Sequence, residues 1–354
     1  PLVKWSYEPP RAEDVPHAIA RATYLASLPP KGPAFVSIPM DDWHAEVDEA
    51  AVALQTARKV SGRSVPHADT VQALADRLAR ASNPALVAGP DLDTEQGRAA
   101  AVALAEAQGL TVWATPAPGG GRLGFPEDHP NFVGILPPAI GPLGETLAPY
   151  DLVIVAGSSV FPYYPNIPGA LLAEGTALVA ITSDPDEASR APMGDAIVAD
   201  PALALAELVE VVTDSERSGP EARPAPEEVE LTDPMNASTA MRVLGSVLPG
   251  EAAVVLESPS ATLALRNQLR LSRPGSYYFG AGGGLGGGLA AAVGVQLGVP
   301  DRPVVCVVGE GSAQYAIQAF WTAAAYDVPV TRALEDAEIK KTSVFRLMPE
   351  AMLD

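Results

Sequence analysis

The sequence predicts an α/β protein built on parallel, doubly wound sheets, and three observations carry that prediction. Uninterrupted apolar runs of four or five residues recur at 85–88, 152–156, 177–181, 253–256 and 304–308. Stretches with helical apolar periodicity lie between several of them, as over 69–81 and 94–108. Three of the runs end directly at a glycine, at Gly89, Gly157 and Gly309. A strand that is apolar on both faces must be covered on both faces, and parallel strands joined by crossover helices supply that cover.

Taken in order, residues 15–28 carry an apolar stripe of Ile19, Ala22 and Ala26 and read as a helix stopped by Pro29-Pro30. Gly32-Pro33 leads into a short buried strand over 34–39. One helix and one strand cannot bury an apolar face alone, so this segment, 1–43, is expected to complete a sheet supplied from elsewhere. Residues 44–66 are polar, with Ser, Arg and Pro, and read as a linker. A central α/β unit follows over 67–213: helix 69–81, strand 85–88, helix 94–108, strand 111–114, then strands at 151–157, 177–181 and 196–198. Residues 214–235, rich in Pro, Glu and Ser, read as a second linker. A third unit, 236–331, has a helix to Leu248, a strand at 253–256, a helix at 289–297, a strand at 303–308 and a helix at 313–326. From Arg332 the character changes to a charged, amphipathic tail, 332–354, with no parallel strand after it.

Composition narrows the function. The 354 residues hold 23 basic against 43 acidic side chains, a formal net charge of −20, which argues against nucleic acid or an anionic membrane as partner. A single cysteine, Cys306, excludes a disulfide framework and any Cys-rich metal site, and four scattered histidines argue against a multi-His centre. No apolar stretch approaches the roughly 20 residues of a spanning helix. The first residues carry no signal-peptide pattern, so a soluble cytoplasmic protein is expected. They begin mid-element without an initiator methionine, and the chain is read as a piece of something longer.

Two glycine-rich corners could carry chemistry. Gly280 to Gly288 follows the aromatic pair Tyr277-Tyr278 and precedes a helix whose free N–H groups and positive dipole end suit a diphosphate. A plain tight βα turn explains the glycines equally well. The second corner, Gly309-Glu310-Gly311-Ser312, closes an apolar strand; its glycines let backbone approach phosphates, and its acid can hold a bridging divalent cation. A dinucleotide fingerprint would need a third glycine where Gln314 stands. A third feature, Glu257-Ser258-Pro259-Ser260, lies where α/β sheets bind ligands, and a serine capping a helix is the simpler alternative. The histidines lack triad or zincin partners, Asp41-Asp42 reads as a solvated turn, Phe161 to Pro165 as a packing loop, and Cys306 as core. Ser312 lacks the elbow of a hydrolase nucleophile.

These residues resemble the thiamine-diphosphate-dependent decarboxylases, and among them the benzoylformate decarboxylases. The resemblance rests on Pro1 to Pro9, on Asp184-Pro185 with Glu187-Ala188, on Arg190 to Asp200 and on Pro274 to Phe279. It continues through Gly283-Gly284-Leu285-Gly286, Gly309-Glu310-Gly311-Ser312 and Trp321 to Ala324, covering about residues 1 to 330. It implies the three-domain architecture of these enzymes, here incomplete. Residues 1–43 would be the end of the pyrimidine-binding domain, 67–213 the central domain and 236–331 the front of the diphosphate-binding domain.

The implied activity is a carboxy-lyase reaction, the non-oxidative decarboxylation of a benzoylformate-like 2-keto acid to an aldehyde and carbon dioxide, with thiamine diphosphate and Mg²⁺ or Ca²⁺. By resemblance, Leu285 is the side chain that wedges the coenzyme into a V, the Gly283 backbone contacts its aminopyrimidine, and Gly284 is a further coenzyme-binding residue. Ser260, Gly309, Gly311 and Ser312 contact the diphosphate, Tyr315 lines the coenzyme, and Glu310 is the metal ligand. The departures are specific. Glu310 replaces the family's aspartate, Pro259 a hydroxyl-bearing contact, and Tyr164 the histidine expected to donate a proton. The family's protonating glutamate, its pocket histidine and serine and its second metal ligand have no counterpart, so this chain alone is expected to be inactive. A homo-oligomer, a tetramer by analogy, is implied for the complete protein. A non-catalytic paralogue that keeps the fold and an acetolactate-synthase-like carboligase are the alternatives.

Overall fold

The computed structural model describes residues 3–116, 121–161, 166–226, 228–232, 235–280, 283–336 and 341–346. The chain opens with β1 (Trp5–Tyr7), α1 (Val15–Ser27), β2 (Ala34–Val36) and α2 (Glu49–Thr56). β1 and β2 pair in parallel with each other and, among the described residues, with no other strand. The strand at 34–39 is therefore shorter than the sequence suggests and not buried: Phe35 is 57% exposed, because no second layer covers it. The segment 44–66, read as a linker, holds α2. The Asp48 carboxylate accepts from the amides of Ala50 and Ala51 and starts that helix.

The middle of the chain is a six-stranded parallel sheet. Its elements are α3 (Ala68–Arg80), β3 (Pro84–Ala88), α4 (Glu95–Gln108), β4 (Thr111–Ala114), β5 (Phe132–Ile135), α5 (Ile140–Leu147) and β6 (Leu152–Ala156), then β7 (Ala177–Thr182), α6 (Pro185–Arg190), β8 (Asp195–Val198) and α7 (Pro201–Val211). Strand order is β5-β4-β3-β6-β7-β8, so the winding reverses between β3 and β6. Successive strand residues enter different cores. Leu86, Ala88, Ile154 and Ala156 pack under α3, α4 and α7, whereas Val87, Val153 and Val155 face Leu143 and Leu147 of α5. That two-sided burial is why these strands are apolar at every position.

The last part contains α8 (Ala237–Val247), β9 (Ala253–Glu257), α9 (Thr262–Gln268), β10 (Tyr277–Phe279), α10 (Gly287–Gly298), β11 (Val304–Gly309), α11 (Glu310–Gln314), α12 (Ala319–Ala325), β12 (Val330–Asp336) and β13 (Lys341–Arg346). The order is β10-β9-β11-β12-β13, parallel except for the antiparallel edge pair β12–β13. The helix expected over 313–326 is two helices; between them the backbone tightens into bonds such as Ala316 N–H to the Ala313 carbonyl. The charged residues Glu335 and Asp336, placed in the tail by their composition, belong to β12, whose pairing with β11 holds them in the sheet. Val254, Leu256, Val305 and Val307 share one core with Leu104 of α4 and Phe132 of β5, so the two sheets are joined by continuous apolar packing.

Buried charges fasten the same junction. The Asp93 carboxylate takes Arg98 at 2.9 Å, Arg122 at 2.7 Å and the Gly275 amide at 3.0 Å. Glu127, with a fully buried side chain, takes Arg266 at 2.5 Å and the Leu271 amide at 3.0 Å. Among the described residues no helix is long and apolar enough to cross a membrane.

Candidate functional site

The register of the second sheet gathers three strand ends at one edge. Phe279 at the end of β10 stands opposite Leu256, and Val308 of β11 stands opposite Glu257. β9 precedes β10 on one side and β11 on the other, so this edge is a switch point, where open α/β sheets bind ligands. A cleft of about 580 Å³ opens there, lined by Glu257, Pro259, Tyr278, Leu285 and, from the middle unit, Pro90 and Arg122.

Glu257 organises the first glycine corner. Its carboxylate accepts from the amides of Gly286 at 2.5 Å and Gly288 at 2.7 Å. The N-terminal amides of α10, expected to await a diphosphate, are in part taken by the protein's own carboxylate. The physical reason is the same dipole and open N–H groups, which attract an internal anion as readily as an external one. A Cβ on Gly288 would lie 2.7 Å from the Cβ of Glu257, so only glycine admits this approach. Gly286 has φ +99°, and a Cβ there would lie 2.6 Å from the Cβ of Tyr315. The first glycine corner therefore lies against the end of α11, the helix that begins in the second corner.

The second corner begins where β11 ends. Gly309 caps α11 without a side-chain bond, Glu310 is half-buried, Ser312 is buried and Gly311 faces open space. Gly309 is in backbone register with Glu335 on β12. Among the described residues no group of three His, Cys, Asp or Glu side chains is placed to hold a metal ion.

The remaining sequence-predicted residues fall as follows. Gly283 and Gly284 line the cleft beside Leu285, whose side chain is half exposed. A Cβ on Gly283, Gly284, Gly287 or Gly311 would meet nothing, which leaves bare backbone facing space. Ser260 lies exposed in the turn after β9, whereas Ser258 is buried. Tyr315 is exposed next to Gly286. Tyr164 lies outside the described residues, as do Ala281 and Gly282. Two of the four histidines make structural contacts: His67 Nδ1 accepts from the Asp69 amide at the start of α3, and His129 meets Phe125 edge-on. Cys306 is buried in β11, as its apolar surroundings suggested.

Sequence reasoning missed two features. Arg122 reaches the cleft from a loop of the middle unit, its guanidinium 5.0 Å from the Tyr278 ring centroid. Glu257 lies inside a quoted motif, but its partners are backbone amides about thirty residues away and leave no signature in the sequence. Tyr277, next along β10, is no acid–base group, since burial pushes its phenol up to about 12.

Residues 71–208 match the family described as thiamine pyrophosphate enzyme, central domain, and residues 260–338 match its C-terminal TPP binding domain. The chain belongs to the thiamine pyrophosphate enzymes. Both glycine corners of this thiamine pyrophosphate enzyme, with Ser260 and Tyr315, lie inside the second match. Among curated relatives, a benzoylformate decarboxylase of Pseudomonas aeruginosa is 46% identical over 330 residues, 93% of this chain and 62% of that protein. Among solved structures, a thiamine diphosphate-dependent 4-hydroxybenzoylformate decarboxylase of Rhodococcus jostii RHA1 superposes with a TM-score of 0.89 at 42% identity, covering 95% of this chain and 63% of the other. Benzoylformate decarboxylase from Polynucleobacter necessarius gives a TM-score of 0.89 at 37% identity, with the same coverage. The chain thus spans about three-fifths of the length of these relatives.

Proposed function

We propose that this chain forms the larger part of a thiamine-diphosphate-dependent carboxy-lyase that converts benzoylformate, or a near aryl relative, to the aldehyde and carbon dioxide. The observation that carries the reading is the contact of Gly286 with Tyr315, at the end of the helix that starts in the second glycine corner, inside the stretch matched to the TPP binding domain. The 46% identity with a benzoylformate decarboxylase supports the substrate class.

Bare backbone at Gly283, Gly284 and Gly311, where a side chain would meet only open space, fits a bound group of the coenzyme's kind. When bound, the coenzyme supplies a thiazolium ring that takes up the electron pair left as carbon dioxide departs. The backbone of Gly309 and Gly311 and the hydroxyls of Ser312 and Ser260 hold the diphosphate. Glu310 gives one carboxylate to Mg²⁺ or Ca²⁺, a donor set that suits an ion otherwise held by phosphate oxygens and water. The backbone of Gly283 would meet the aminopyrimidine with Gly284 beside it, Leu285 would prop the coenzyme, and Tyr315 would line it. Tyr164 is the proton donor in this reading, although a phenol with an ordinary pKa near 10 gives up its proton reluctantly at neutral pH.

The units 1–43, 67–213 and 236–331 take the roles of pyrimidine-binding remnant, central domain and diphosphate-binding front, with 44–66 and 214–235 as connections and 332–354 as a tail. The complete protein is a cytoplasmic homo-oligomer, a tetramer by analogy. Titration calorimetry of the full-length natural protein with thiamine diphosphate and Mg²⁺, followed by carbon dioxide release from benzoylformate and from pyruvate, tests the proposal. Binding with turnover of benzoylformate is expected; release from pyruvate alone would indicate a different keto-acid chemistry, and absence of binding would refute the reading. The replacement of the family's aspartate by Glu310 favours one second reading, a paralogue that keeps the fold without catalysis, and binding without turnover would bear that out.

A further inference from the structure

We propose that Glu257 is the positioning residue of the coenzyme cleft, fixing through Gly286 and Gly288 the turn that carries Leu285. The inference rests on the functional reading above and adds to it a residue that takes no part in the chemistry.

Three observations support it. First, the cap residue of α10 is Gly286, with no side chain of its own to satisfy the helix start. Its positive φ and its contact with Tyr315 exclude the Ser, Thr, Asp or Asn that commonly serve there. The capping acceptor comes instead from the neighbouring strand end, 29 residues away for Gly286 and 31 for Gly288. Second, the described part of this corner, 283–288, contains a single residue with a side chain, Leu285. A turn of glycines loses much conformational freedom when it is ordered, so its shape depends on bonds from outside. The bond to Gly286 holds the peptide immediately after Leu285 and thereby the direction of that side chain. Third, the charge acts in the same sense. A carboxylate on the start of α10 repels a diphosphate from this corner and leaves the Gly309 to Ser312 corner to receive it. Glu257 would then decide which end of the coenzyme lies in which corner.

The experiment uses the full-length natural protein and its Glu257→Gln and Glu257→Ala variants. Two quantities are measured on each: amide hydrogen exchange of the peptide covering 283–290 without coenzyme, and affinity for thiamine diphosphate with Mg²⁺. Gln keeps one acceptor oxygen and the shape but loses the charge and the second acceptor. Loss of a hydrogen bond to a charged group predicts at least about tenfold faster local exchange and about tenfold weaker binding for Gln, more for Ala. Exchange of β9 and β11 stays as in the wild type. Wild-type exchange at 283–290 in the Gln variant overturns the proposal. So does unchanged affinity, or faster exchange spread through the whole sheet, which would mark a merely structural role. If Ala fails to fold, the Gln variant decides alone. A wild-type protein that binds no coenzyme would instead sink the functional reading, and this role with it, in a way the variants cannot mimic.

Discussion

Gly286 lies against Tyr315 so closely that a Cβ on the glycine would sit 2.6 Å from the Cβ of the tyrosine. Gly286→Ala is therefore expected to strain the backbone, since a left-handed conformation costs a non-glycine residue about 1–2 kcal/mol, and to drive residues 286 and 315 apart. Chemical denaturation should show a loss of at least that size, and calorimetry a weaker grip on thiamine diphosphate. Tyr315→Gly in the same background should recover part of the lost stability by removing the opposing Cβ. A Gly286→Ala protein of wild-type stability and affinity would show that Gly286 and Tyr315 do not meet.

Glu127 faces Arg266, Arg223 and Arg270 at the junction of the two sheet layers. Its fully buried carboxylate takes Arg266, itself almost fully buried, at 2.5 Å, with Arg223 3.6 Å away. Burial already pulls the Arg223 guanidinium below its ordinary pKa, and the like charges of Arg270 and Arg266 add to that. Glu127→Gln would leave a buried positive cluster without its counter-charge, a change that costs about 3–5 kcal/mol. Urea titration checks this. The double replacement of Glu127 by Gln and Arg266 by Met should recover much of the loss, because it removes the most deeply buried of the orphaned charges.

Much of the fold was legible because two-sided burial leaves a plain trace. β3, β6, β9 and β11 alternate their side chains between two cores, so every position inside those cores had to be apolar and the strands could be read directly; Glu257, the last residue of β9, lies beyond them. β5 and β10 escaped for the opposite reason. β5 is four residues interrupted by Gly134, and β10 is three aromatic residues beside a glycine loop, too short for any periodicity. The break between α11 and α12 has no proline or glycine to announce it. In the site, the glycine corners declared themselves by composition, whereas the carboxylate that holds one of them bonds to backbone, which every sequence offers equally.

Stability in acid should depend on the ion pair between Arg63 and Asp200. Burial alone would raise the Asp200 pKa, but the Arg63 guanidinium at 2.7 Å and the amides of Leu203 and Ala202 hold it below its ordinary 3.8. A depressed carboxylate contributes stability above the unfolded value and loses it as pH falls through the folded one. The stability difference between the wild type and Asp200→Asn should therefore be constant at neutral pH and narrow below about pH 4. Urea midpoints between pH 3 and pH 7 would reveal it. A difference that stays flat to pH 3 would mean that the pair is spent in solvent, as partly exposed pairs can be.

Glu310 should govern the metal requirement without governing the fold. It is half-buried at the mouth of the second corner, and among the described residues no other acidic or imidazole groups join it in a cluster that could hold an ion unaided. A divalent ion there would depend on diphosphate oxygens for the rest of its shell, so metal and coenzyme should bind together and neither tightly alone. Glu310→Gln keeps the size of the side chain, removes the charge and should raise the Mg²⁺ concentration for half-maximal coenzyme binding by about tenfold or more, the loss of one charged ligand. Thermal stability without ligands should stay within about 0.5 kcal/mol of the wild type, as for a substitution away from the core. Calorimetry across a Mg²⁺ series separates the two effects. An unchanged Mg²⁺ dependence would move the metal away from Glu310 and leave the second corner a phosphate seat alone.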